Sequence, residues 1–165
     1  MNIALVAHDS RKRELLEWVD YNYKALSKHA LYATGTTGKL IEENVTCNVE
    51  EYDEVLDTNY IHSEHPFEGK INKLLSGPLG GDQQIGAMIA EGKIDVLIFF
   101  CDNLVVQGHQ YDISALTRLA SLYNIAFATN RTTADMILTS PLLNDPNYKR
   151  KEPNFNNYTT RELNV

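Results

Sequence analysis

The chain has 165 residues, of which 43% are hydrophobic, enough for a single domain with an ordinary buried core. Its 22 acidic and 15 basic side chains give a formal net charge of −7, whereas proteins that bind duplex nucleic acid usually carry a basic surface. No apolar run reaches the roughly 20 residues of a membrane-spanning helix, and the N-terminus does not have the pattern of a signal peptide. We therefore expect a cytoplasmic protein with neither nucleic-acid nor membrane partners.

The negative charge is concentrated in one segment. Residues 42–73 hold nine acidic and two basic side chains, so the remaining residues are formally neutral. The composition of this segment predicts an acidic insertion that leaves the compact core, in which a short helix could form at residues 49–56. The global charge opposes an anionic ligand, but a charge confined to an insertion says little about the core.

The two cysteines predict no metal site, and a single disulfide between them is the less favoured alternative to two free thiols. Cys47 and Cys101 lie far apart in the sequence and in no metal-ligand spacing. We expect both to be reduced thiols, as is usual in cytosolic proteins.

Strands and helices are predicted to alternate along the rest of the chain. Strands are expected at residues 3–7, 30–33, a third ending at 74–75, then 95–100 and 125–128. Helices are expected at residues 10–27 with Ser10 as N-cap, 39–43 after a Gly/Thr turn, 83–91, 113–123 and 132–139. From residue 141 onward we expect an irregular tail. This order predicts one α/β domain over residues 1–165, with a mostly parallel sheet covered by helices on both faces.

Ligands of such sheets bind beyond the carboxyl ends of the strands. The first predicted strand is followed by His8 and by three cations at residues 11–13, in the first turn of a helix whose dipole disfavours them. A bound anion held by Lys12 and the backbone N–H groups would resolve that conflict. The alternative is a solvated basic turn in which His8 is an ordinary loop residue.

The second and third strands are followed by glycine-rich turns. Residues 34–38 read TGTTG, whose hydroxyl and N–H groups suit phosphate oxygens, although the GK[ST] ending of a P-loop is absent. An ordinary capping turn is the alternative. Residues 76–84 read SGPLGGDQQ and place Asp82 at the start of a helix, where an N-cap is the alternative to a chemical role.

The fourth strand is followed by Asp102, His109 and Asp112. A histidine with nearby carboxylates is a common acid–base arrangement, but it is also common on surfaces, and Asp112 could cap a helix. Taken together, the four strand ends favour a small phosphorylated metabolite as ligand.

Four strings resemble methylglyoxal synthases: residues 3–9 (IALVAHD), 31–38 (LYATGTTG), 75–84 (LSGPLGGDQQ) and 91–100 (EGKIDVLIFF). The resemblance implies a Rossmann-like lyase that converts dihydroxyacetone phosphate to methylglyoxal and inorganic phosphate through an enediolate, in a bypass that branches from glycolysis. It also implies that no metal or organic cofactor is needed, that phosphate inhibits, and that the protein is a homohexamer.

The resemblance also implies roles for individual residues. The implied catalytic residues are Asp82, His109 and Asp112. The implied substrate-binding residues are His8, Lys12, Thr34, Gly35, Thr36, Thr37, Ser76, Gly77 and His109. Asp102 matches a family carboxylate whose role stays open. The chain departs from the family in its longer acidic segment, at residues 103–108 where a proline-containing run is usual, and in its tail.

Two other functions remain open from the sequence. Related domains of this fold are regulatory modules that sense phosphorylated ligands, but a sensor would not need Asp82, His109 and Asp112 together. An interaction protein that uses its acidic segment would leave the strand-end residues unexplained.

Overall fold

The computed structural model describes residues 1–105, 108 and 110–160, except for the side chain of Thr159. The strands are β1 (Asn2–Ala7), β2 (Ala30–Ala33), β3 (Cys47–Asp53), β4 (Thr58–Glu64), β5 (Ile71–Lys73), β6 (Val96–Phe100) and β7 (Ala126–Ala128). Five of them form a wholly parallel sheet in the order β5-β2-β1-β6-β7, while β3 and β4 form a separate antiparallel pair. The predicted α/β fold is confirmed.

Helices cover both faces of the parallel sheet. They are α1 (Lys12–Tyr21), α2 (Tyr23–Leu26), α3 (Gly35–Asn44), α4 (Gly81–Ala90), α5 (Gln110–Leu122), α6 (Arg131–Leu138) and α7 (Asn156–Thr159), with 3₁₀ turns at Asp9–Arg11, Gly77–Leu79 and Pro141–Asn144. Alternate strand residues point to opposite faces, so Ile3 and Leu5 pack towards α1, α3 and α6, whereas Ala4 and Val6 pack towards α4 and α5. The two apolar layers hold the sheet rigidly between them.

Four helix starts differ from their predictions. Ser10 does not cap α1, whose N-cap is Arg11, and the predicted helix at 10–27 is interrupted at Asn22. The residues predicted as a Gly/Thr turn form the first turn of α3 instead. Neither carboxylate is a cap: Asp82 lies inside α4 behind the N-cap Gly80, and Asp112 lies in the first turn of α5.

The acidic segment contains an exposed β-hairpin, formed by β3 and β4, so the short helix suggested at residues 49–56 is wrong. The strands pair from Cys47 opposite Glu64 to Asp53 opposite Thr58. A carboxylate closes the turn, because Asp53 Oδ1 accepts from the N–H groups of Val55 and Leu56, at 2.8 and 3.1 Å. Acidic side chains along both strands, such as Glu50 and Glu51, lie in solvent, where their charge costs little.

The tail crosses the edge of the sheet opposite to the carboxyl ends of its strands. Arg150 forms an ion pair with Asp95 at 3.0 Å, and Asn124 Nδ2 donates to Lys151 O at 2.9 Å. A cavity of about 400 Å³ lies there, beside Val96 and Ala126. None of the site residues predicted from the sequence lines it.

The longest helix in the described part of the chain, α5, has 13 residues, and no described helix combines the length and apolarity of a membrane span.

Candidate active site

The order of the sheet creates a crevice at the carboxyl ends of its central strands. The chain leaves β1 towards β2 on one side, whereas β6 pairs with β1 on the other side, so the connections diverge between β1 and β6. A cavity of about 710 Å³ opens at this point. It is lined by Ala7, His8, Asp9, Lys12, Thr34, Thr36, Ser76, Gly77, Pro78, Gly108 and Asp112.

Most residues predicted from the sequence come together in this cavity. The predicted residues that line it are His8, Lys12, Thr34, Thr36, Ser76, Gly77 and Asp112. Gly35, Thr37 and Asp82 do not line it, and Thr37 and Asp82 are buried. His109 lies outside the described residues. Sequence reasoning missed the lining residue Asp9, although its place directly after His8 at a strand end was an available signal.

One wall of the cavity depends on a glycine. The N–H of Gly35 donates to Leu75 O at 3.2 Å, which joins the end of β2 to the chain that follows β5. A Cβ at Gly35 would lie 2.9 Å from Leu74 O, closer than carbon and backbone oxygen tolerate. The absent side chain therefore allows Thr34 and Thr36 to lie on the same wall as Ser76.

This wall has the chemistry of an anion site. The first N–H groups of α3 have no acceptor within the helix and carry the positive end of its dipole. Thr34, the N-cap, uses its hydroxyl to donate to Thr37 Oγ1 at 3.1 Å rather than to cap those N–H groups. Hydroxyls of Thr36 and Ser76 stand beside them in the cavity lining. Together these donors suit the oxygens of a phosphate group.

Lys12 is the cation of the basic turn that reaches the cavity. Arg11 and Arg13 pair instead along the helix surface, with Glu14 at 3.2 Å and Glu17 at 2.9 Å. Lys12 is the first residue of α1, its side chain is only 17% exposed, and its Nζ lies 2.5 Å from Asp9 Oδ1. An ammonium group has three donors, so Lys12 can bind Asp9 and a ligand oxygen together.

The loop after β1 contributes to the cavity a histidine whose tautomer is fixed. The backbone N–H of Asp102 donates to His8 Nδ1 at 2.8 Å in a buried hydrogen bond. Since a backbone N–H can only donate, His8 Nδ1 must be an acceptor, and the proton of the neutral ring is on Nε2. The ring also stands edge-on to Phe99, with centroids 5.1 Å apart. His8 therefore has a defined orientation at the cavity.

The Asp102 carboxylate is held ionised. The hydroxyl of Ser10 donates to its Oδ2 at 2.5 Å, and the N–H of Leu104 donates to its Oδ1 at 3.0 Å. Both bonds favour the charged carboxylate and therefore lower the pKa of Asp102, and the bond from Ser10 has the larger effect. Cys101, its neighbour, is a free thiol whose pKa is raised by burial to about 11, so it is not a thiolate nucleophile at neutral pH.

Asp82 lies in the first turn of α4 and is only 2% exposed. The preceding residue, Gly81, donates its N–H to Ser76 O at 3.0 Å, so the start of α4 is attached to the cavity wall. Asp112 approaches from the first turn of α5 and contributes a carboxylate to the lining. The site thus combines donors for phosphate with acid–base groups.

Comparison with known proteins finds one family. The family model described as MGS-like domain matches residues 14–129. The methylglyoxal synthase of Maridesulfovibrio salexigens is 50% identical over 163 residues, covering 98% of this chain and 97% of the relative. That of Proteus mirabilis is 46% identical over 162 residues, covering 98% and 91%.

A solved structure shares the fold throughout. The crystal structure of methylglyoxal synthase from Elizabethkingia anophelis NUHP1 superposes with a TM-score of 0.79 at 40% identity, covering 98% of this chain and 91% of that one.

Proposed function

The chain belongs to the methylglyoxal synthase family, and we propose that its cavity converts dihydroxyacetone phosphate to methylglyoxal and inorganic phosphate. The observation that carries this function is the meeting, in one cavity, of the donor-rich start of α3 with Lys12, His8 and Asp112. A phosphate cradle facing acid–base groups suits elimination of phosphate from a small keto phosphate.

The substrate phosphate binds at the start of α3. Thr36 and Ser76 supply hydroxyl donors and Lys12 supplies the positive charge, while Thr34, whose hydroxyl donates to Thr37 Oγ1, lines the cavity as the N-cap of α3. Backbone N–H groups of Gly77 and of the first turn of α3 complete the set, while Gly35 and Thr37 support it from behind. This location leaves the carbonyl end of the substrate towards His8 and Asp112.

By the family resemblance the general base is Asp82, which does not itself line the cavity but follows Gly81, whose N–H is attached to Ser76 in the cavity wall. The Asp82 carboxylate removes a proton from the carbon beside the substrate carbonyl, which produces an enediolate. The negative charge that develops on the oxygen needs hydrogen-bond donors, and the family resemblance assigns one to His109. Asp112 orients that histidine or transfers a proton.

Phosphate then leaves from the enediolate. Departure requires the C–O bond to the phosphate to stand roughly perpendicular to the enediolate plane, so that its electrons overlap with the π system. A cradle that fixes the phosphate enforces this orientation, and Lys12 with the dipole of α3 stabilises the charge on the departing group. Every step uses side chains and backbone groups, without a metal or organic cofactor, as in the family.

The same site binds free phosphate, which is the product and an inhibitor in the family. By the same resemblance the protein is a cytoplasmic homo-oligomer, and a hexamer is the proposed form. The mass of the full-length protein in solution tests the oligomer.

The test of the function is a two-product assay. The full-length protein is incubated with dihydroxyacetone phosphate, and methylglyoxal and inorganic phosphate are followed together. Equimolar release of both supports the lyase. Binding of the substrate without either product would instead support a sensor module, and the absence of both binding and products would support an interaction protein.

Replacement of Lys12 by methionine is expected to weaken binding of the phosphate group. Loss of a charge-assisted hydrogen bond predicts that KM for dihydroxyacetone phosphate and the inhibition constant for phosphate both rise about ten- to a hundredfold. Arg13→Met is the matched control, because Arg13 is an exposed neighbour paired with Glu17. Unchanged constants in the Lys12 variant would remove Lys12 from the site.

A further inference from the structure

Ser10 makes an unexpected long-range contact. It lies in the 3₁₀ turn after β1, and its hydroxyl donates to Asp102 Oδ2, 92 positions away, at 2.5 Å. Because α1 has Arg11 as its N-cap, the Ser10 hydroxyl is not needed to start the helix. The bond instead joins the loop after β1 to the loop after β6, across the point where the sheet connections diverge.

Asp102 is fixed through both its carboxylate and its backbone. Ser10 and the N–H of Leu104 bind its two carboxylate oxygens, and its own N–H donates to His8 Nδ1. The backbone N–H that holds the His8 ring belongs to Asp102 itself, so its position depends on where these bonds fix Asp102.

Of the three residues joined by these hydrogen bonds, Ser10, Asp102 and His8, it is His8 that lines the cavity. With Nδ1 occupied as an acceptor, the ring presents Nε2–H, a donor that suits an oxygen on which negative charge develops. A shift of the Asp102 backbone would weaken the Nδ1 bond, and the ring would then be able to rotate or to change tautomer.

We propose that Ser10 is a positioning residue of this enzyme, which acts through Asp102 to keep His8 oriented as an Nε2–H donor towards the reacting substrate. The inference rests on the proposed function. It assigns to Ser10 a role in the chemical step and none in binding of the phosphate group, because the contact of Ser10 leads to Asp102 and His8 and not to Lys12 or the α3 donors.

The kinetic test compares Ser10→Ala with Ser10→Thr. Ser10 is exposed, so neither change disturbs the core. In the alanine variant kcat is expected to fall roughly tenfold through loss of one charge-assisted hydrogen bond that fixes the geometry, while KM stays within about twofold. Threonine keeps the hydroxyl and is expected to restore most of kcat. Ser27→Ala, which removes another exposed hydroxyl, is the matched control.

A second measurement determines the tautomer of the His8 ring in the absence of substrate. Nitrogen NMR of histidine-labelled protein, with the His8 signals identified by their loss in His8→Gln, is expected to show the Nε2–H tautomer in the wild type and a mixture of tautomers in Ser10→Ala. Wild-type kcat in Ser10→Ala, or a loss that threonine does not rescue, would overturn the proposal, as would an unchanged tautomer. If the wild type fails to turn over dihydroxyacetone phosphate, the proposed function fails, and the NMR result still decides whether Ser10 controls His8.

Discussion

Replacement of Asp82 by asparagine is expected to lower turnover of dihydroxyacetone phosphate by about two orders of magnitude or more, the usual cost of losing a general base. Asparagine has nearly the same shape but cannot accept the proton from carbon. Since Asp82 is almost fully buried in the first turn of α4, a side chain of equal size preserves the packing there. Steady-state kinetics on the purified variant measures the effect.

The control for this experiment is Asp20→Asn, an exposed carboxylate on α1 with the same change in charge. It is expected to retain wild-type turnover. Thermal unfolding of both variants checks that the domain is intact. Near wild-type turnover by a folded Asp82→Asn protein would show that another group removes the proton.

The largest expected effect on stability comes from Gly81→Ala. A Cβ at Gly81 would lie 2.1 Å from Leu75 O, and a backbone oxygen cannot move aside as a flexible side chain can. We expect the free energy of unfolding to fall by about 3 kcal/mol, at the upper end of the range for overpacked positions. Turnover is expected to fall as well, because the substitution displaces the start of α4 and with it Asp82.

Alanine substitutions at two further glycines serve as comparisons, with the free energy of unfolding measured by denaturant titration. At Gly86 a Cβ would meet only the side chain of Leu119, at 2.9 Å, so a smaller loss of stability is expected. Around a Cβ at Gly108 no atom of the described residues, chain neighbours apart, lies within 4 Å, and stability should be unchanged. Equal unfolding free energies for the alanine variants at Gly81 and Gly108 would contradict the close contact.

Most of the parallel sheet was predictable because four of its strands contain short apolar runs, whereas β5 reads Ile-Asn-Lys and ends before the predicted residues 74–75. Val96–Phe100 is buried at every position, as a strand covered on both faces must be. The start of α3 was not predictable in this way, since Gly35, Thr36 and Thr37 are poor helix formers. Their helical conformation depends on the contact between Gly35 and Leu75, a tertiary interaction that overrides local preference.

The hairpin was missed for a different reason. β3 and β4 lie mostly in solvent, so they lack the strict alternation of apolar and polar residues that indicates a half-buried strand. Their turn depends on the Asp53 carboxylate and on a left-handed Asp57, with φ of 52°, in place of a turn glycine.

Much of the site followed from topology alone. Carboxyl ends of neighbouring parallel strands meet at one edge, so His8, Thr34, Ser76 and Asp112 could be expected to converge. The link from Ser10 to Asp102 could not be expected, because a serine at a helix start predicts a cap, and the choice of another acceptor depends on how two distant loops approach.

The hairpin also gives the protein a practical attachment point. Its first and last paired residues, Cys47 and Glu64, stand side by side, so the chain leaves and re-enters the domain at one place. At the tip, Val55 is 91% exposed. A short peptide tag or a fluorescent label placed at residues 54–57 would lengthen a segment outside the parallel sheet, leaving the path of the chain through the sheet as it is. The hairpin would then serve as a handle for immobilising the enzyme.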